Sequence, residues 1–269
     1  MNKSSSFITI ENKFILMKIK VGLIGFGRTG KAVASVILQN REFSLEWVFR
    51  KTSVLEHRSV PEFLGLESDE PGLIFSGEHM NIKELFEKHP IDILIDFSST
   101  ESIHQYGEEA AKQKIKIISA ISHYGDKELA LLDQLSTRTT VFWSPNITLG
   151  VNYLLFSAQF LQKIAPGVDI EIIEEHFKQK EGVSGTAVKI AHALDLDVSQ
   201  INSVRAGGIV GKHELIFGFP YQTVRLIHES ISREAFGNGA IFVARNLLKL
   251  PDGFYNFEDI LRPYFNIEQ

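Results

Sequence analysis

A glycine-rich turn near the start of the chain constrains its fold more than any other feature. The turn follows an apolar segment, opens an amphipathic stretch, and reads Gly25-Phe26-Gly27-Arg28-Thr29-Gly30. In this spacing the first glycine permits a tight turn, the second lets a pyrophosphate approach the backbone, and the third lets the helix pack closely on the sheet. Free N–H groups at the helix start then bind the anion. We interpret these six residues as a dinucleotide-binding turn, the alternative being a glycine-rich turn of purely structural use.

The chain around this turn alternates between short apolar runs and longer amphipathic stretches, which is typical of strands joined by helices in a parallel sheet. The predicted strands are Ile19–Ile24, Leu45–Arg50, Ile91–Phe97, Ile115–Ile121 and Thr140–Trp143. The predicted helices are Thr29–Leu38, Ile82–Lys88, Glu101–Lys112 and Lys127–Leu135. The region 52–77 is rich in charge and turn formers and gives no clear prediction. The pattern predicts an α/β, Rossmann-type dinucleotide-binding domain.

The pattern changes after Asn146. A long apolar helix, Val151–Ala165, is followed by predicted strands that begin at Val168 or lie near Ser203–Val210, Glu214–Phe219 and Thr223–Ile231. Successive strands with short turns predict an α+β domain with a mostly antiparallel sheet. We expect residues 17–146 and 237–269 to form the dinucleotide-binding domain and residues 147–236 a second domain. Residues 1–16 are expected to be an appendage, the alternative being a start-site artefact with the true start at Met17.

Composition limits the partners of this chain. With 44% hydrophobic residues among 269, the chain can bury a large core. A formal net charge of -5 argues against nucleic acid or an anionic membrane as the main partner, since both require a basic surface. The absence of cysteine excludes disulfides and thiolate metal sites, and no run approaches the roughly 18 apolar residues of a membrane span. We expect a cytoplasmic protein without a metal site.

Two cations stand where NAD-binding domains carry an acidic residue, about 20 positions beyond the glycine turn. Arg50 and Lys51 come at the end of the second predicted strand. A basic pair at this place suits the 2'-phosphate that NADPH has and NADH lacks. We therefore expect NADPH to be preferred over NADH, the alternative being a solvated basic pair.

The predicted strand that begins at Val168 carries the first candidates for substrate chemistry. Alternation places Glu174 and His176 on the same face as the apolar residues before them, and Lys180 shares that face if the extended backbone continues. A histidine and a lysine at a strand end suit an anion held beside a proton donor. The alternative is an exposed strand end with ordinary charges.

A predicted helix start follows Lys180 after one short loop and reads Ser184-Gly185-Thr186-Ala187. Hydroxyls and unpaired N–H groups at such a position form a cradle for a carboxylate. A plain N-cap serine or threonine explains the same residues. Together with the lysine, the cradle predicts a small substrate with two carboxylates.

Both stretches resemble the signature segment of the dihydrodipicolinate reductases, in which a histidine and a lysine precede a Ser-Gly-Thr-Ala turn. The resemblance continues, in the same order along the chain, in Ile95–Ser98, Ser144–Asn152, Arg205–His213 and Ser232–Ala240. It implies NAD(P)H-dependent reduction of a cyclic imine dicarboxylate, 4-hydroxy-tetrahydrodipicolinate, in diaminopimelate and lysine biosynthesis. It also implies a homotetramer whose contacts come from the second domain, which binds the substrate.

The resemblance implies roles for individual residues. His176 takes the place of the acid catalyst, and Lys180 that of the lysine that binds and polarises the substrate. The turn that holds a substrate carboxylate maps onto Ser184, Gly185 and Thr186. The further cofactor contacts that it implies are Phe97, Ser98, Ser119, Ile121 and Asn146.

Several positions depart from the family pattern. Phe177 stands where the family has a second histidine, Val183 replaces the customary proline in a shortened loop, and Ser119-Ala120-Ile121-Ser122 replaces Gly-Thr-Thr-Gly. Two alternatives therefore stay open. One is a reductase or dehydrogenase of another small carboxylated imine or carbonyl compound, and the other is a catalytically silent NADP-binding paralogue.

Overall fold

Eleven strands and nine α-helices form the part of the chain that the computed structural model describes, residues 17–56 and 58–265. The strands are β1 Ile19–Ile24, β2 Phe43–Arg50, β3 Leu73–Ser76, β4 Ile93–Asp96, β5 Lys116–Ser119, β6 Thr140–Trp143, β7 Asp169–His176, β8 Ile201–Arg205, β9 Lys212–Phe219, β10 Gln222–Glu229 and β11 Gly253–Tyr255. The helices are α1 Arg28–Leu38, α2 Val60–Leu64, α3 Ile82–Lys88, α4 Ser102–Lys112, α5 Asp126–Ser136, α6 Leu149–Ile164, α7 Gly185–Ala193, α8 Glu234–Leu247 and α9 Phe257–Phe265.

Seven strands form a parallel sheet in the order β11-β6-β5-β4-β1-β2-β3. These strands are apolar along most of their length because helices cover both faces of the sheet. One apolar cluster joins α1, α8 and α9 to the sheet around Leu23 and Val243. Another joins α3, α4 and α5 to it around Trp47 and Leu94. The carboxyl ends of β1, β2 and β4 meet at one edge, where ligands bind in sheets of this kind.

The other four strands form a second sheet in the order β10-β9-β7-β8, in which β7 and β8 are parallel and the remaining neighbours antiparallel. One face of β7 is buried. Ile170 and Ile172 pack against α6 and α7, and Glu174 and His176 continue that face. A single row across the sheet contains Ser203, Glu174, His213 and His228.

The predicted fold class, a parallel Rossmann-type domain plus an α+β domain with a mostly antiparallel sheet, is confirmed. Sequence patterns missed α2 and β3 in the region 52–77, and β11 and α9 in the tail. All four elements are short and two of the strands lie at sheet edges, so their apolar patterns are brief. β11 pairs in parallel with β6, which extends the first sheet with residues from the end of the chain.

The extended backbone that would place Lys180 on the same face as Glu174 and His176 does not continue to that residue. β7 ends at His176, and the Lys180 N–H donates to the Phe177 carbonyl at 3.0 Å, which closes a turn. The neighbouring strand β8 ends at Arg205, level with His176, and beyond the two strands the Lys178 N–H still donates to the Gly207 carbonyl at 3.1 Å before the chain turns. Lys180 therefore approaches the site from a loop.

None of the helices in residues 17–56 and 58–265 is long and apolar enough to cross a membrane. Within the same ranges, no group of three or more His, Asp or Glu side chains is placed to hold a metal ion. The expected appendage, residues 1–16, lies outside the described residues.

Candidate active site

The glycine turn connects β1 to α1, and each of its glycines has a different neighbourhood. Gly25 has a φ of 94°, and a Cβ there would lie 2.7 Å from the Phe97 carbonyl oxygen. A Cβ on Gly30 would lie 2.0 Å from the Gly25 carbonyl oxygen, so α1 packs this closely on the turn only with glycine. Gly27 has an ordinary φ of -77°, and no described atom lies within 4 Å of a Cβ placed on it. The open space at Gly27 fits a phosphate held by N–H groups at the start of α1.

A cleft of about 900 Å³ opens beside this turn. Its walls come from the glycine turn, the end of β2 and the segment between β4 and α4. The predicted cofactor contacts that line it are Gly25, Phe26, Gly27, Arg50, Lys51 and Ser98. A neighbouring cavity of about 490 Å³ is lined by Thr29, Phe97, Ile121 and again Ser98.

Four predicted cofactor contacts line neither of these two cavities. Arg28 borders a separate cavity of about 570 Å³, and Gly30 is packed inside the turn. Ser119 is fully buried, and its hydroxyl donates to the Tyr124 hydroxyl at 2.9 Å. Asn146 bonds to the second domain. Gly30 and Ser119 are thus packed against other residues of the protein.

A buried carboxylate supports the wall between the two cavities. Asp96, at the end of β4, is fully buried and accepts hydrogen bonds from the Ser98 N–H at 2.8 Å, the Ser98 hydroxyl and the Tyr106 hydroxyl at 2.9 Å. Burial raises the pKa of Asp96 to about 6, although these hydrogen bonds oppose the shift. Asp96 therefore fixes the Ser98 segment that both cavities share, at a cost in stability when it is ionised.

We expect Asp96→Asn to stabilise the fold at neutral pH. The pKa of Asp96 is raised from 3.8 to about 6, so its contribution to stability is full below pH 3.8 and is lost as the pH rises through about 6. Asparagine has no charge to bury. The gain of the variant should be near zero in acid and reach about 3 kcal/mol above about pH 6, at about 1.4 kcal/mol per pKa unit. Urea unfolding across this pH range measures it, with exposed Asp69→Asn as control, and a gain independent of pH would contradict it.

The second domain has its own buried carboxylate. Glu174 is fully buried, and its oxygens accept hydrogen bonds from His176 Nδ1 at 2.5 Å, the Ser203 hydroxyl at 2.6 Å and the Ser184 N–H at 3.2 Å. Arg205 forms an ion pair with it, with Nη1 at 2.9 Å from one oxygen. Burial alone would raise the pKa of Glu174, but Arg205 and the hydrogen bonds outweigh burial and hold the pKa at about 2. Glu174 is therefore ionised and joins four residues from different segments.

His176 is held by this carboxylate and is 9% exposed. Because Glu174 accepts from Nδ1, Nε2 is the nitrogen left to exchange a proton with a ligand. A Cβ on Gly211 would lie 3.0 Å from Nε2, so the glycine keeps that side open. Burial lowers the pKa of His176, Lys180 and Arg205 act in the same direction, and Glu174 opposes them. Arg205 is already paired with Glu174, so an anionic ligand that offsets the charge of Lys180 would raise this pKa again.

The start of α7 is tied to both domains. Ser184 is its N-cap residue, but the hydroxyl does not cap the helix and instead lies 3.1 Å from His213 Nε2. The Asn146 amide donates to the Thr186 hydroxyl at 3.2 Å, and the Asn146 side-chain oxygen accepts from the Thr148 N–H at 3.0 Å. The predicted carboxylate cradle is therefore fixed beside the end of the dinucleotide domain.

The sequence alone does not identify three residues of this site. Glu174 lies on the face that alternation predicts to be buried, and a buried charge requires a partner. The sequence itself therefore indicates that Glu174 has a role. Arg205 and His213 are the ends of a segment that resembles the family, but their contact with Glu174 has no signal in the sequence, because only the register of β7 with β8 and β9 brings them there.

Comparisons with known proteins find relatives that match most of the chain. The family model described as "Dihydrodipicolinate reductase, N-terminus" matches residues 19–147, and "Dihydrodipicolinate reductase, C-terminus" matches residues 150–261. A 4-hydroxy-tetrahydrodipicolinate reductase of Caldanaerobacter subterraneus subsp. tengcongensis is 31% identical over 258 residues, covering 88% of this chain and 95% of the relative. One of Wigglesworthia glossinidia brevipalpis is 26% identical, covering 94% and 96%.

Solved structures share the fold. A dipicolinate-bound dihydrodipicolinate reductase from Paenisporosarcina sp. TG-14 matches with a TM-score of 0.73 at 19% identity, covering 89% of this chain and 98% of that chain. A probable dehydrogenase from Thermotoga maritima matches with a TM-score of 0.62 at 11% identity, covering 90% and 92%. With family models matching both halves and a relative 31% identical over nearly its full length, the chain belongs to the dihydrodipicolinate reductase family.

Proposed function

We propose that this chain catalyses the NAD(P)H-dependent reduction of 4-hydroxy-tetrahydrodipicolinate to tetrahydrodipicolinate, in diaminopimelate and lysine biosynthesis. The observation that carries the proposal is the His176–Glu174 pair, set beside the helix start at Ser184 and connected through Asn146 to a domain whose cleft fits a dinucleotide. Membership of the family supports the same reaction.

The cofactor is a nicotinamide dinucleotide. The open space at Gly27 suits its pyrophosphate, Arg50 and Lys51 suit a 2'-phosphate, and Ser98 and Ile121 line the adjoining cavity. The reaction removes the 4-hydroxyl group of the substrate as water, which leaves a carbon–carbon double bond conjugated to the ring imine. When bound, the cofactor would supply a hydride to the far carbon of this double bond, and the enamine that results takes up a proton at the carbon beside the former imine carbon.

The protein's own residues bind the substrate and deliver a proton. N–H groups at the start of α7, with the Ser184 and Thr186 hydroxyls, bind one carboxylate, and Lys180 offsets negative charge on the substrate. Glu174 keeps the proton of His176 Nδ1 in place, so that Nε2 carries the proton that is transferred. The arrival of a dicarboxylate raises the pKa of His176 by offsetting the charge of Lys180, so the acid forms with the substrate present.

The test is NADPH oxidation with freshly generated 4-hydroxy-tetrahydrodipicolinate. We expect saturable consumption of NADPH with formation of tetrahydrodipicolinate. Turnover of only another carboxylated imine or carbonyl compound would favour the broader reductase alternative. Binding of NADPH and dipicolinate without turnover of any such compound would favour the silent paralogue.

We expect NADPH to bind at least about tenfold more tightly than NADH, because charged hydrogen bonds from Arg50 and Lys51 to the 2'-phosphate are made only by NADPH. The double variant Arg50→Ala with Lys51→Ala should bring the two affinities close together. Calorimetric titration with each cofactor measures this. A matched control replaces Arg41 and Lys127, exposed cations outside the cleft. Equal affinities in the unmutated protein would contradict the assignment.

We also propose a cytoplasmic homo-oligomer, a tetramer by the family resemblance, with contacts in the second domain. Exposed apolar side chains on or beside the second sheet, Val204, Tyr221 and Ile227, support a contact surface there. Light scattering on the full chain gives the mass, and a monomer at micromolar concentration would contradict the proposal.

A further inference from the structure

His213 is a buried histidine that the proposed mechanism does not use. It lies on β9, is 4% exposed, and stands between Glu174 of β7 and His228 of β10 in one row of the sheet. Its Nε2 is 3.1 Å from the Ser184 hydroxyl. The His176 ring contacts it edge-on, with centroids 5.4 Å apart. His213 thus meets the proposed carboxylate-binding turn from the protein interior.

His213 is neutral at neutral pH. Burial lowers its pKa to about 4, and His176, His228 and Lys180 act in the same direction, while Glu174 opposes them. A neutral imidazole carries one ring proton, on Nδ1 or on Nε2. The position of this proton decides whether the histidine donates a hydrogen bond to Ser184 or accepts one from it.

The surroundings of Nδ1 favour one of these two forms. His213 Nδ1 is buried and has no hydrogen-bond partner among the described residues. A proton on Nδ1 would bury an unpaired N–H, which folded proteins almost never tolerate. A proton on Nε2 instead donates to the Ser184 hydroxyl oxygen. The second form satisfies the only ring proton, so His213 is the donor in this bond.

The other polar groups of Ser184 are already engaged. Its N–H donates to Glu174 at 3.2 Å, and its carbonyl accepts from the Val188 N–H at 3.0 Å. Its hydroxyl makes no capping bond to α7. With His213 donating to the hydroxyl oxygen, the hydroxyl proton remains for a group outside this set.

We propose that His213 is a positioning residue whose Nε2–H donates to the Ser184 hydroxyl and thereby commits that hydroxyl to donate to a substrate carboxylate. The inference rests on the proposed function of the Ser184 turn. A serine committed in this way discriminates against substrates that present a donor, such as an amide N–H, in place of the carboxylate.

Kinetics and binding test this proposal through a set of variants. His213→Leu should raise both the KM of the imine dicarboxylate and the Kd of dipicolinate about tenfold, the loss expected for one directed hydrogen bond, and change kcat less than about threefold. His213→Gln keeps an N–H donor and should recover most of the affinity. Leucine at exposed His192 is the matched control. The double variant His213→Leu with Ser184→Ala should match Ser184→Ala alone, and independent, multiplying effects would overturn the proposal.

Histidine ¹⁵N NMR on the unmutated, ligand-free protein tests the proton position without substrate and needs a variant only to assign the signal. We expect Nε2 of His213 to be protonated and Nδ1 not, with the signal assigned by its absence from His213→Gln. A proton on Nδ1 would overturn the inference even in an active enzyme. A proton on Nε2, with weaker dipicolinate binding in His213→Leu, supports the inference even if the imine is not reduced, in which case the proposed function alone fails.

Discussion

Replacing His176 by alanine is expected to lower kcat roughly 10²- to 10⁴-fold, the usual contribution of a positioned general acid. The Kd of NADPH should not change, because His176 lies on the second sheet and lines neither cavity of the dinucleotide cleft. The loss is large because Glu174 fixes one nitrogen of the ring and leaves the other for the substrate. A small shift of a neighbouring side chain would not put another proton donor in this position.

Steady-state kinetics at saturating NADPH, together with a cofactor titration, measure both parts of this prediction. His192→Ala, at an exposed position near the end of α7, is the matched control and should behave as the unmutated protein. An unfolding midpoint of His176→Ala equal to that of the unmutated protein would exclude a folding defect. A kcat within a few-fold of the unmutated value would remove His176 from the mechanism.

Alanine at Gly30 and alanine at Gly27 are expected to separate folding from cofactor binding. A Cβ on Gly30 would lie 2.0 Å from the Gly25 carbonyl oxygen, so α1 has to shift. Overpacking of this kind should lower the free energy of unfolding by about 1–3 kcal/mol or more. A Cβ on Gly27 meets no described atom within 4 Å, so stability should change by less than about 0.5 kcal/mol. The new methyl group should nevertheless raise the Kd of NADPH at least about tenfold, because it occupies the space of the pyrophosphate.

Urea unfolding of the cofactor-free proteins and calorimetric titration with NADPH provide the two readouts. Each glycine variant is the control for the other, because both add one methyl group to the same turn. Unchanged NADPH affinity in Gly27→Ala would mean that no phosphate approaches the backbone there. Unchanged stability in Gly30→Ala would mean that the turn and α1 adjust to each other without cost.

The sequence predicted those helices and strands whose hydrophobic patterns extend over many residues. Period-two alternation along β7 placed Glu174 and His176 on the buried face, because one side of that strand packs against helices. The glycine turn was predicted because each of its three glycines meets a separate structural requirement of a dinucleotide-binding turn. The turn from Phe177 to Lys180 was not predicted, because the chain turns where β8 ends, and that end is set by a partner strand 25 residues or more further along.

The sequence also did not predict the contacts between residues that are far apart in the chain. Arg205 and His213 reach Glu174 through strand register, which a single sequence does not encode locally. Ser119 is a separate case. The family resemblance implies a cofactor contact at Ser119, and the structure shows that its side chain is fully buried, with the hydroxyl bonded to Tyr124.

The bonding of Glu174 determines where this scaffold can acquire a new substrate range. One carboxylate holds the proposed proton donor His176, the Ser184 turn and Arg205, so a change that adjusts one of them disturbs the others. Ile121 and the two residues after it line the cavity beside the glycine turn and make no bond to that carboxylate. Directed evolution toward other imines should therefore accept mutations at these three residues and reject them around Glu174.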